Sequence, residues 1–126
     1  MNRIKVAAVA VLAVALAACN SDSTAPSVSI FGNYTLKAIN GNALPVQLSN
    51  GQVLTSDMLT LNTDGTFTDA AQFSDGTVSV EQGFFTNNNG SITFQDAQTG
   101  AIFSGSLSGN VLTEIDGNVT ETFQHT

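Results

Sequence analysis

Basic side chains are almost missing from this 126-residue chain: Arg3, Lys5 and Lys37 stand against ten Asp and Glu, a formal charge of −7 at neutral pH. A nucleic-acid interface needs a stripe of Lys and Arg to neutralise phosphates, so that class of partner is excluded. Cysteine occurs once, as Cys19, which rules out an internal disulfide and a cysteine-based zinc site. Histidine also occurs once, as His125, one residue from the end, where chains normally fray. Nucleophilic catalysis needs a nucleophile beside a base that a third group orients. With one His, one Cys and no Arg beyond Arg3, no such set can be assembled. No catalytic residue, metal ligand or cofactor is assigned, and the chain is not expected to be an enzyme. Long apolar runs are absent too. The longest, Val6–Ala18, holds 13 residues of Val, Ala and Leu, whereas a membrane-spanning helix needs about 20.

What is present begins with that short run. It follows Arg3 and Lys5 and ends in Leu16-Ala17-Ala18-Cys19. A positive start, an apolar middle and small residues before a cut make the pattern of a secretory signal peptide over residues 1–18. Ala17 and Ala18 supply the small side chains that a signal peptidase needs, with cleavage between Ala18 and Cys19. These four residues resemble the lipobox of bacterial lipoproteins. The resemblance implies that the Cys19 thiol takes a diacylglycerol and that the new amino terminus is acylated after cleavage. Two or three chains anchor firmly where one is marginal, at about 0.8 kcal/mol per buried CH₂. The protein is thus expected in the cell envelope, on the outer membrane in a Gram-negative cell, because Asn20 rather than Asp follows the cysteine. Cleavage removes Arg3 and Lys5 and leaves Lys37 alone against all ten carboxylates, a formal charge of −9.

Residues 19–30 read as the lipidated cysteine and a flexible tether, since Asn20–Ser29 is mostly small and polar with one proline. From residue 31 to 126 the pattern changes to short apolar-containing runs between turn dipeptides. These include Asn40-Gly41, Asn50-Gly51, Asp64-Gly65, Asp75-Gly76, Asn89-Gly90 and Asp116-Gly117. Asn-Gly and Asp-Gly supply the positive φ that tight hairpins require. Successive turn glycines fall 8 to 14 residues apart, the rhythm of consecutive antiparallel strands. Within the runs the period is two: Tyr34, Leu36 and Ala38 share a face, as do Phe67, Ala71 and Phe73, Ile92 and Phe94, Phe103 and Leu107, and Val119 and Phe123. No stretch beyond residue 30 shows a helical apolar period of useful length. The prediction is an all-β, antiparallel up-and-down meander of eight or nine strands. An open meander leaves two edges that invite aggregation, and closure into a small barrel removes both.

At Gly32-Asn33-Tyr34, where the first strand opens, the chain resembles the small bacterial lipocalin-like lipoproteins. Lipocalins carry Gly-x-Trp at this place, and here Tyr34 stands for the Trp. Asn40-Gly41-Asn42-Ala43-Leu44-Pro45 and the run Leu59–Phe67 are similar to the turns and strands of that group. The resemblance implies a barrel over residues 31–124. It departs in two respects: lipocalins usually set an arginine of the last strand against the Trp, and no arginine follows Arg3; the domain is also much shorter than a typical lipocalin.

The resemblance and the aromatic content suggest a binding module that holds a small apolar ligand, with Tyr34, Phe67, Phe94, Phe103 and Phe123 as candidate lining. The alternative is a protein-interaction role, in which an acidic face meets a cationic envelope protein. Two carboxylates stand out because parity places them on apolar faces, Asp69 between Phe67 and Ala71 and Glu121 between Val119 and Phe123. Inside a barrel they would bind a cationic or hydroxylated ligand with raised pKa values; a bulge or a rim position would instead return them to water. Asp64, Asp75, Asp96 and Asp116 lie in or beside turns, without the spacing of a calcium loop. In Gly83-Phe84-Phe85, either one ring is exposed or a bulge at Gly83 turns both inward.

Overall fold

The computed structural model describes residues 29–126. The signal segment, the Ala18–Cys19 cleavage point, the lipid site at Cys19 and most of the tether lie outside the described residues. The strands are β1 (Gly32–Ile39), β2 (Asn42–Ala43), β3 (Val46–Gln47), β4 (Val53–Leu61), β5 (Thr66–Phe73), β6 (Val78–Asn88), β7 (Ser91–Asp96), β8 (Ile102–Ser108), β9 (Val111–Asp116) and β10 (Val119–His125). From β4 to β10 each strand pairs with the next, β10 pairs with β1, and β1 pairs with β4. All of these pairings are antiparallel. Eight strands therefore close on themselves as an up-and-down barrel. The two-residue strands β2 and β3 lie in the connection from β1 to β4 and extend those two strands at the barrel's mouth.

The period of two becomes an inside and an outside. Tyr34, Leu59, Leu61, Phe67, Ile92, Phe94, Leu112 and Phe123 are fully buried within the barrel. Phe94 stacks on Phe103 at 5.0 Å and meets Phe67 edge-on at 5.3 Å, while Phe67 meets Phe103 edge-on at 6.0 Å. Each such aromatic pair adds about 0.5–1.5 kcal/mol beyond area burial. In β1 the register shifts between Leu36 and Ala38. Ile39, not Ala38, is therefore the third buried residue of that strand. At Gly83 the pairing with β5 and β7 runs on without a shift. Of the two alternatives the bulge is absent, and normal alternation puts Phe85 inside and leaves Phe84 57% exposed.

His125 corrects the expectation of a frayed end. It is the last residue of β10, half-buried, with its ring 4.7 Å from that of Tyr34 and Nε2 3.1 Å from the Phe31 carbonyl. The imidazole thus lies against the Tyr34 ring. Gly32 is needed here, because its φ is +126° and a Cβ would stand 2.9 Å from His125 Nε2. The Tyr34 hydroxyl donates to the Ile30 carbonyl at 2.7 Å, and Ile30 itself packs on the core. Together these contacts shut one end of the barrel. Tyr34→Phe is expected to lower stability by about 1 kcal/mol, the typical net worth of one hydrogen bond. Urea unfolding would read that loss; an unchanged midpoint would mean that the bond contributes nothing to closure.

Candidate functional site

At the other end, six strands each send one carboxylate inward: Asp57 from β4, Asp69 from β5, Glu81 from β6, Asp96 from β7, Glu114 from β9 and Glu121 from β10. Each shares its parity with buried apolar neighbours on the same strand. The register brings these groups together. Asp69 stands directly across from Glu81, and Glu114 directly across from Glu121. Glu121 in turn faces Ile39 on β1. β8 supplies no acid at this level; its inward residues are Phe103, Gly105 and Leu107. Like charges opposed across a sheet repel, and the basic residue of the described chain, Lys37, is exposed on the outside.

Burial sharpens the conflict. Asp57 and Glu114 are each 5% exposed and Asp96 is 7% exposed. Asp57 Oδ1, Asp69 Oδ1 and Glu114 Oε2 are buried with no hydrogen-bond partner. A buried acceptor left unpaired costs about 1–3 kcal/mol, and an unpaired buried charge costs more. Burial therefore favours the protonated form of these carboxyls. Burial first, then the neighbouring Asp57, pushes Asp69 up to about 10. Burial and then the charge of Glu121 push Glu114 up to about 8. Burial raises Glu121 to about 7, helped by the charges of Asp57 and Asp116. Glu81 also rises to about 7 through burial and its contact with Asp96. Burial lifts Asp57 too, against the opposing pull of Asp69 and of the Met58 amide. Asp57 and Asp69, on the paired strands β4 and β5, thus each bear on the other's proton affinity, as do Glu81 and Asp96 on β6 and β7.

Asp96 is the exception. It ends β7 and caps the turn to β8, accepting bonds from the Gln98 and Thr99 amides at 2.6 and 2.7 Å. The Thr99 amide above all, then Glu81, holds it below the usual carboxylate range. Asp64 and Asp75 are ordinary turn residues, bonded to Thr66 and Thr77 respectively.

The mouth itself is open. A cavity of about 610 Å³ is lined by Ile39, Leu54, Phe73 and Val119 on its apolar side and by Asp57 and Glu121 on its acidic side, with Asn40–Asn50 loop residues at the rim. A shallower depression of about 430 Å³ reaches Glu81 and Asp96 from the side. Among the described residues, no set of three or more His, Cys, Asp or Glu is gathered closely enough to hold a metal ion.

The candidate lining residues lie elsewhere. Tyr34, Phe67, Phe94 and Phe123 are fully buried, and Phe103 packs against that core as a partly buried neighbour. None of the five lines the open cavity. Of the six inward acids, parity identifies Asp69 and Glu121 in the sequence. The same rule covers Glu81 two residues before Gly83, Asp96 two after Phe94, and Glu114 two after Leu112. It covers Asp57 too, two residues before Leu59, although a register shift between Leu54 and Ser56 puts Leu54 out of step with both.

No family model matches the sequence, and no curated protein matches it. Among solved structures, the barrel is similar to a lipocalin-like protein from Bacteroides uniformis ATCC 8492, with a TM-score of 0.53 and 15% sequence identity. The match covers 77% of this chain and 98% of that one. At that identity the likeness concerns the fold. The chain forms a closed eight-strand antiparallel barrel of lipocalin-like fold.

Proposed function

We propose that this protein is a binding module of the cell envelope, lipid-anchored through Cys19, that takes a small molecule into the open mouth of its barrel. One observation carries the reading: the closed end is packed solid with aromatic side chains, while the other end holds a cavity of about 610 Å³. That volume falls within the usual range of small-molecule sites. An apolar portion of the ligand would lie on Ile39, Leu54, Phe73 and Val119. A lipocalin-like fold supports such a role by analogy only.

A protein-interaction role has less to draw on from charge. Six of the ten carboxylates in the chain face the barrel interior, while Asp64 and Asp75 at turns and Asp116 at the end of β9 are exposed. What favours a protein contact is the apolar strip on the outer face of β6, where Val78, Val80 and Phe84 are exposed.

Native mass spectrometry separates the two readings. The protein would be purified from a bacterial envelope in mild detergent. A defined extra mass that is lost on denaturation supports the carrier. A bare mass, together with no uptake of any small probe into the mouth, overturns it and leaves the outer strip as the working surface.

A further inference from the structure

The carboxylates at the mouth have no partner of opposite charge among the described residues. Lys37 is exposed on the outer face. His125 sits at the closed end, over Tyr34. Asp57 lines the cavity, is 5% exposed, and leaves Oδ1 without a hydrogen-bond partner. Behind it, Glu114 is equally buried, leaves Oε2 unpartnered, and stands across from Glu121, which also lines the cavity.

We propose that the mouth takes an organic ammonium ion, its N–H donors shared between Asp57 and Glu121 and its hydrocarbon portion laid on Ile39, Leu54, Phe73 and Val119. The inference rests on the ligand-binding reading above and names the ligand's chemistry. A neutral apolar molecule would leave Asp57 Oδ1 as a buried, unpaired acceptor. An anion would add like charge to a wall in which Asp96 is ionised and Glu81 and Glu121 ionise near neutral pH. An ammonium brings three donors and the missing charge, and its hydrogen bonds to carboxylates are of the stronger, charge-assisted kind. A metal ion needs a tighter set of ligands than the described residues assemble. A single ammonium bonds at ordinary hydrogen-bond distances and suits acids spread around a wall.

Binding would be linked to protons. The groups facing the site are Asp57 on β4, Asp69 on β5, Glu81 on β6, Asp96 and Glu114 on β7 and β9, and Glu121 on β10, with Asp116 near the rim. β1 and β8 contribute only uncharged residues, Ile39 and Phe103 among them. An incoming ammonium converts a carboxylic acid to a carboxylate, and the proton leaves to solvent. Affinity therefore rises with pH through the range where Glu121 and its neighbours titrate, near 7 to 8. It falls again where the amine itself loses its proton, at about 10 for an ordinary alkylamine such as the lysine side chain.

Titration calorimetry with hexylammonium, hexanol and hexanoate as probes tests this on the purified full chain. Hexylammonium is expected to bind at least tenfold tighter than hexanol at pH 7.5, to tighten several-fold between pH 5.5 and 7.5, and to release protons in buffers of different ionisation enthalpy. Hexanoate is expected not to bind. Asp57→Asn should weaken hexylammonium by tenfold or more, and Glu121→Gln by several-fold. The second variant serves if the first fails to fold, since Glu121 is less buried. Hexanol binding as tightly as hexylammonium, without pH dependence, overturns the ammonium assignment and leaves the carrier intact. So does a co-purified mass that proves to be neutral or anionic. Absence of any co-purified mass together with no binding of the three probes overturns both readings.

Discussion

Gly83→Ala is expected to abolish the folded barrel or to lower its melting temperature by more than about 10 °C. Gly83 lies in mid-strand on β6, paired with Phe67 on one side and Asp96 on the other. A Cβ there would collide with the Gln95 carbonyl oxygen and stand 2.9 Å from its carbon and 2.7 Å from Phe67 Cε1. Two of those three atoms are backbone of the neighbouring strand and cannot swing aside. Ordinary overpacking costs about 1–3 kcal/mol, and displacing a strand of a closed barrel costs more, against a total stability of about 5–15 kcal/mol. For a domain of this size each kcal/mol moves the midpoint by about 4–8 °C. Gly105→Ala is the natural control. Its Cβ would meet Phe94 Cε2 at 3.0 Å, Leu112 Cδ1 at 3.3 Å and the Thr113 carbonyl at 3.3 Å, mostly side chain, so a smaller loss follows. Circular dichroism melts of both variants decide the point. A Gly83→Ala midpoint within a few degrees of the parent would sink the close-approach argument.

The barrel is also expected to be an acid-stable protein that weakens toward alkaline pH, the reverse of the usual carboxylate-rich domain. Glu81 and Glu121 are raised to about 7, Glu114 to about 8 and Asp69 to about 10. In each case the folded state holds a proton that the unfolded chain releases near pH 4. Their contribution is therefore whole below the unfolded pKa and is lost as pH rises through the folded value. Asp64 and Asp75 act in the opposite sense, since bonds from Thr66 and Thr77 lower their pKa values. The stability they add is present above pH 4 and disappears in stronger acid. The optimum is expected near pH 4–5, with a fall on the order of several kcal/mol by pH 9. Glu114→Gln, which keeps the shape and removes the titration, should raise the melting temperature at pH 8 and flatten the decline, with a smaller gain at pH 5. Thermal melts from pH 3 to 9 at constant ionic strength check both statements. A melting temperature that rises from pH 5 to 9 would mean that these carboxyls sit ionised in water.

Local chemistry made much of the architecture readable. Asn-Gly and Asp-Gly turns force hairpins wherever they occur, and alternation assigns faces between them, so the all-β meander and the inward side of β5, β7 and β8 were legible residue by residue. Departures came where a strand breaks its own period. The register shifts in β1 and β4 exchange Ala38 for Ile39 and set Leu54 out of step with Asp57 and Leu59; no local pattern sets a bulge, because where the extra residue of the bulged strand is taken up depends on its pairing with the neighbouring strand. His125 was misread for a related reason. A chain end frays unless something pairs with it, and its partners Tyr34 and Phe31 lie some ninety residues earlier.

The candidate site divides along the same line. Each inward acid is individually readable from parity, since alternation is a property of one strand. Their gathering at one level of one barrel is not. That depends on how far each strand slides past its neighbour and on the pairing of β1 with β4 that closes the sheet. The sequence alone determined an acidic, cation-poor meander whose aromatic side chains share a core. Tertiary structure decided that the aromatics fill one end, that the acids crowd the other without a counter-charge, and that an open cavity lies against them. The physical reason is that composition and periodicity are summed along the chain, whereas burial, desolvation and unmet charge arise only between strands once the barrel has closed.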